Sequence, residues 1–192
     1  MAEAQAATAL LALWNDVDPA LDAAYNDWHA REHVPERCTV PGILWGWRYW
    51  RADASAMPRY LTLYGLRDAA VLDSAPYQRL LREPTPASAR MRPALQNLSR
   101  WVCRLRVLQG IEACARLCVH TLDAASPEAA PLVQTQSAGG SALLLAERLP
   151  NANPLPWLQG GQERAVRGDM LVCRGDDSPL PAASLYERLM SP

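Results

Sequence analysis

The hydrophobic period along residues 8–108 switches between that of a strand and that of a helix in a fixed order, and this order restricts the fold more than any single motif. Thr8 to Trp14 is a compact apolar run closed by Asn15-Asp16, as a first strand would be. Asp18-Pro19 opens a helix, with Asp as the capping residue and Pro pre-set for the first turn, and Pro35 is expected to end it near Val34. Val40-Pro41-Gly42 turns the chain into a second strand, Ile43 to Arg51; Asp53 to Pro58 is a loop, and Arg59 to Leu66 is a third strand. A second helix starts at Asp68 or Ser74, is interrupted around Pro84 and Pro86, and resumes to about Gln96. Trp101 to Leu108 is a fourth strand. The order βαββαβ is that of a ferredoxin-like, split-βαβ unit, so the chain is α+β.

The remainder repeats the theme. One constant shift places Asp177 on Asp68, Tyr186 on Tyr77, Arg188 on Arg79 and Leu189 on Leu80, aligning SAPYQRLL with ASLYERLM. Upstream, Ala115 to Leu122 and Ser126-Pro127 echo the first strand and its helix start, and Gly139-Gly140 before Ser141 to Leu149 echoes Pro41-Gly42 before the second strand. Residues 1–110 therefore read as a complete ferredoxin-like βαββαβ unit, and 111–192 as a shortened second repeat with a short first helix and no fourth strand. Asn151 to Gly161, rich in Pro, Gly and Asn, is a long loop within it. A single such sheet leaves one face to be covered, and the second copy can cover it within the chain, with any homodimer built on top of that barrel.

Composition removes several function classes. Nineteen basic against twenty acidic residues give a formal charge of −1, so no global field gathers nucleic acid or anionic lipid. Every basic residue is Arg, which removes lysine Schiff bases and the P-loop lysine. Five cysteines without CxxC spacing read as free thiols in a cytoplasmic protein, and no apolar run is long enough to be a membrane span or a signal peptide.

The most informative stretch is Tyr25-Asn26-Asp27-Trp28-His29-Ala30-Arg31-Glu32-His33-Val34-Pro35-Glu36-Arg37, followed by Val40-Pro41-Gly42. At 100° per residue, Leu21, Tyr25, Trp28 and Glu32 fall on one stripe, with His29 and His33 on its shoulder. A carboxylate on that stripe either emerges into solvent or pairs with an arginine, or else it faces a pocket beside His33, where burial shifts pKa values. His29-x-x-Glu32-His33 also spells a zinc-type H-x-x-E-H pattern, but no distal third ligand is indicated and no metal is expected.

This run, with its Asp-Pro helix start and the aromatic strand after it, resembles the NDWY-x-x-EH-x-PER…PG signature of small bacterial proteins in the dimeric α/β-barrel superfamily, close to the EthD-like group. Asn26, Asp27, Trp28, Glu32, His33, Pro35, Glu36, Arg37, Pro41 and Gly42 match, while His29 stands where the signature has Tyr. The resemblance spans residues 8–110. It implies two ferredoxin-like units packed into a barrel, usually as a homodimer, in a superfamily whose members include cofactor-free monooxygenases, lactone isomerases and polyketide cyclases.

The strands supply the walls of a pocket. Trp45, Trp47 and Tyr49 share one face of the second strand, Leu44, Gly46, Arg48 and Trp50 the other, and Tyr60, Thr62 and Tyr64 alternate in the third. Such aromatic faces suit a planar ligand, and equally an ordinary core or a subunit interface. The expectation is a cofactor-independent enzyme acting on a small hydrophobic or aromatic molecule. His33 would be the general acid/base, Glu32 its orienting partner, and Tyr60 or Tyr64 a carbonyl polariser. Trp28, Trp45, Trp47, Tyr49, Arg48 and Arg104 would contact the ligand. The competing readings are a non-catalytic binding or accessory protein, and a motif that only shapes the fold.

Overall fold

In a computed structural model of the chain, which describes residues 6–51, 58–127, 142–150, 155, 166–175 and 183–189, the strands are β1 (Ala9–Val17), β2 (Ile43–Trp50), β3 (Tyr60–Leu66) and β4 (Leu95–Gln109), then β5 (Arg116–Leu122), β6 (Leu143–Arg148), β7 (Met170–Gly175) and β8 (Ser184–Leu189). The first set lies in the order β4-β1-β3-β2 and the second in the order β8-β5-β7-β6, every pair antiparallel. Pairing of β4 with β6 and of β2 with β8 joins the two sets into a closed barrel of eight strands within one chain. Closure leaves no strand edge among these eight to be protected from another chain.

The interior follows from the period of two. Leu10, Ala12 and Trp14 of β1, Leu61 and Leu63 of β3, Trp101 and Cys103 of β4 and their counterparts on the other strands form one buried cluster that reaches every strand of the barrel. Trp14 and Trp101 meet edge to face with ring centres 5.3 Å apart. Each fully buried leucine contributes about 1.5–3 kcal/mol, so this side-chain packing is a principal source of stability. Within this cluster the Trp14 Nε1 and the Tyr49 hydroxyl have no hydrogen-bond partner among the described residues.

The helices lie outside β1–β4. After a 3₁₀ turn at Pro19–Leu21, capped by the Asp18 carboxylate on Ala20 N–H at 2.8 Å, come α1 (Asp22–Trp28), a π turn (His29–His33) and α2 (Val34–Cys38). The second helical layer holds α3 (Ala75–Arg82) and α4 (Pro86–Met91), separated near Pro84. Val34, Leu72, Tyr77 and Leu81 pack with Leu11, Tyr64 and Val102 in a second cluster between these helices and the sheet.

Several sequence expectations are corrected. Residues 184–189, expected as a helix matching 75–82, form β8, so a fourth strand is present where none was expected. Ser184 and Tyr186 point inward and Leu185 and Glu187 outward, an alternation that a six-residue window shares with half a helical turn pattern. Pro35 does not end the first helix, which continues to Cys38, because the π turn before it displaces the carbonyl that a mid-helix proline ring would strike. Leu21 is 40% exposed and leaves the expected stripe. The fourth strand begins at Leu95, inside the segment expected to be helical. The expected loop at 151–161, apart from Leu155, and the expected helix after Ser126-Pro127 lie outside the described residues.

Candidate functional site

The π turn decides what the helix presents to the sheet. Its extra residue advances the chain without completing an α turn, so residues beyond Trp28 no longer follow the 100° step. His29 is buried rather than on a shoulder, and the rings of Tyr25, His29 and His33 stack in succession, with centres 5.0 and 5.1 Å apart. The Trp28 ring lies 4.5 Å from that of His33. Single-turn π segments recur at functional sites for this reason: they re-aim side chains within a helix.

The β2·β3 register decides what faces that helix. Gly46 opposes Tyr64, Arg48 opposes Thr62 and Trp50 opposes Tyr60, so these residues share the outer face. A Cβ at Gly46 would stand 2.8 Å from Val34 Cγ1 and 3.0 Å from the Tyr64 ring, so only glycine allows the helix this close. Trp47 opposes Leu63 and Tyr49 opposes Leu61, which puts them on the interior face with Trp45. The side-chain sets that the sequence joined into one pocket therefore lie on opposite faces of the sheet.

Trp28, Glu32, His33, Arg48, Tyr60 and Tyr64 come together at the seam between α1, the π turn, α2 and the outer face of β2–β3. Trp47 and Tyr49 do not join them, and Tyr49 is fully enclosed in the core. Trp45 stacks on Trp47 at 3.8 Å and borders a groove of about 640 Å³ with Leu44, Leu105 and Val107 at one barrel end. Arg104 is exposed on β4, remote from the seam.

Within the seam a relay of hydrogen bonds runs outward from a buried cation. Arg48 Nη2 donates to Asn26 Oδ1 at 2.7 Å, Asn26 Nδ2 donates to the Tyr60 hydroxyl at 2.8 Å, and that hydroxyl donates to Asp22 Oδ1 at 2.5 Å. Asp22 pairs with Arg59 at 3.2 Å near the surface. Burial, and then the bond to Asp22, push the Tyr60 phenol up to about 12. Glu32 accepts from the Thr85 and Ser88 hydroxyls, and Ser88 in turn accepts from Trp28 Nε1 at 3.2 Å, which fastens the π turn to the start of α4. Among the described residues no hydrogen bond joins Glu32 to His33.

Three buried polar atoms of the seam have no hydrogen-bond partner among the described residues: His29 Nδ1, His33 Nδ1 and the Tyr64 hydroxyl. Burial, reinforced by Arg48 and Arg37, holds the His29 imidazole well below the usual histidine range. Burial is also the main cause of the lowered His33 value, with His29 and Arg37 next. Burial pushes the Tyr64 phenol well above its ordinary value. At neutral pH the seam thus offers two neutral imidazoles and a protonated phenol beside guanidinium groups. Such a set can exchange protons with a bound molecule and donate to oxygen. Asn26, Arg37 and Tyr25 also belong to this set; the first two stood in the recognised motif, but nothing in their spacing gave them a place in a site.

No family model matches the chain, and no curated protein does. Among solved structures it is similar to an anthrone oxidase-like protein, with TM-score 0.56 and 8% identity over 95% of this chain and 91% of that one. It is also similar to a chlorite dismutase-like protein, with TM-score 0.51 and 9% identity over 95% of each chain. These likenesses are of fold: the closed antiparallel barrel of eight strands with helices outside it. No described helix is long and apolar enough to cross a membrane.

Proposed function

We propose that the seam outside β2–β3 is a small-molecule site, at which the protein catalyses proton transfer on a hydrophobic or aromatic molecule using its own side chains. The observation that carries this reading is that His29 Nδ1, His33 Nδ1 and the Tyr64 hydroxyl, buried and without a hydrogen-bond partner among the described residues, gather at one seam beside the Arg48 guanidinium. His33, half-buried at the edge of the seam, accepts a proton from an acidic C–H or phenol, and the Tyr64 hydroxyl donates to the oxygen on which negative charge develops. Trp28 supplies an aromatic wall. An enzyme-like role also fits the anthrone oxidase-like neighbour, and the identical strand permutation in both sets supports two ferredoxin-like units, 1–110 and 111–192; it is the motif over residues 26–37 that points to the EthD-like group.

A non-catalytic binding protein is the second reading. It is favoured by the engagement of Glu32 and Tyr60, both expected to act in catalysis, in bonds within the protein. Deuterium exchange at the acidic C–H of a hydroxylated anthrone, followed with oxygen uptake, separates the two. The catalytic reading expects acceleration over buffer that falls roughly 100-fold in His33→Ala. Exchange at the buffer rate with the anthrone bound would leave the binding reading standing alone.

A further inference from the structure

We propose that the ligand of this seam carries a negatively charged oxygen and that Arg48 receives it. The inference rests on the small-molecule site proposed above and names the class of molecule that occupies it. Arg48 is 5% exposed, and the hydrogen bond the structure gives it is to the neutral amide oxygen of Asn26. No carboxylate among the described residues forms an ion pair with it. Asp22 stands two side chains further along the relay and already serves Arg59, Glu32 is held by two hydroxyls, and Glu36 pairs with Arg37 at 3.4 Å.

Burial holds the Arg48 guanidinium below its ordinary value, and the phenols near it are those of Tyr25, Tyr60 and Tyr64. His29 and His33 lie within its field and are neutral, and Arg37 is a second buried cation of the same seam. A buried guanidinium is normally retained with an acid beside it, because taking the charge out of water is costly when nothing opposes it. Here the described residues provide the cation, neutral donors around it and no anion against it. A carboxylate or an enolate-type oxygen completes that arrangement, since the planar fork of arginine matches two oxygen lone pairs and Tyr64 adds a further donor. The same charge stabilises an oxyanion formed when His33 removes a proton.

Calorimetric titration of the whole chain at pH 7 with 2-naphthoate, dinitronaphtholate and neutral 2-naphthamide tests this. We expect at least one of the two anions to bind about 10-fold more tightly than the amide. Preference for naphthoate identifies a carboxylate, and preference for the naphtholate an enolate-type oxygen. Arg48→Met should erase the preference, and Arg104→Ala, altered at an exposed position of β4, should keep it. Asn26→Asp, which places a carboxylate on the existing partner of Arg48, should also erase it in a protein whose far-ultraviolet dichroism is that of the wild type, so the test survives a poorly folding Arg48→Met. Equal binding of anions and amide would overturn the inference and leave the small-molecule site in place. Binding of none of the three, with the barrel folded, would overturn both. An Asn26→Asp protein that keeps the wild-type preference would show that Arg48 is not the receiving group.

Discussion

A histidine buried with its Nδ1 unpartnered among the described residues is held neutral, and at His29 this ties the stability of the fold to pH. The native protein binds fewer protons there than the unfolded chain, whose histidines titrate near about 6.5. Its contribution to stability is therefore complete above that pH and is lost as pH falls from about 6.5 towards the lowered native value. We expect the urea midpoint to drop between pH 7 and pH 5, with His29 alone contributing about 1 kcal/mol per pH unit, and His29→Gln to flatten the slope. A midpoint independent of pH would mean that the imidazole binds protons in the native state as it does in the unfolded chain. That His29 and His33 lie on one side of a helix was legible in the sequence from their spacing. Their depth was not, because it depends on the π turn, for which the sequence carries no signal. Nor was the isolation of Arg48, which becomes visible only when the β2·β3 register places it across from Thr62 on the helix side.

At the scale of elements, the π turn and the short strands mark where local pattern stops being decisive. If the π turn is what aims His33 into the seam, removing one residue from it should restore an α turn and rotate the two halves of the helix against each other. We expect deletion of Ala30 to leave the barrel folded, by its far-ultraviolet dichroism, and to weaken binding of 2-naphthoate at least about 10-fold. Undiminished binding in that variant would separate the π turn from the site. Strand β1, from its compact apolar run, and strands β2 and β3, from their alternation, could be read from their residues within a few positions. Residues 184–189 could not, because Leu185 and Leu189 satisfy a helical spacing while Ser184 and Tyr186 satisfy a strand. Pairing on both sides, with β2 and β5, settles the choice through contacts distant in sequence.

For the whole molecule, closure of the barrel within one chain has two consequences. The first concerns assembly: β2 and β4 lose their partners β8 and β6 in a fragment of residues 1–110, exposing two strand edges and the apolar interior face. We expect that fragment to aggregate or to form a tight homodimer by sedimentation, and a well-behaved monomer would contradict the role assigned to the second strand set. The second concerns the proposed function: Trp14, Tyr49 and Trp101 are enclosed in the interior, and the site proposed above lies on the helix side of the sheet. The sequence joined these two faces into one pocket because alternation shows which residues share a face and not which face meets the helices. Nitrogen NMR of the imidazoles, recorded with and without 2-naphthoate, tests that assignment most directly. We expect the His29 and His33 Nδ1 resonances to move on addition of the ligand while those of His120, on β5, stay in place. Unmoved His29 and His33 signals, with shifts instead at the interior Trp14 indole and Tyr49, would put the ligand inside the barrel and contradict the account.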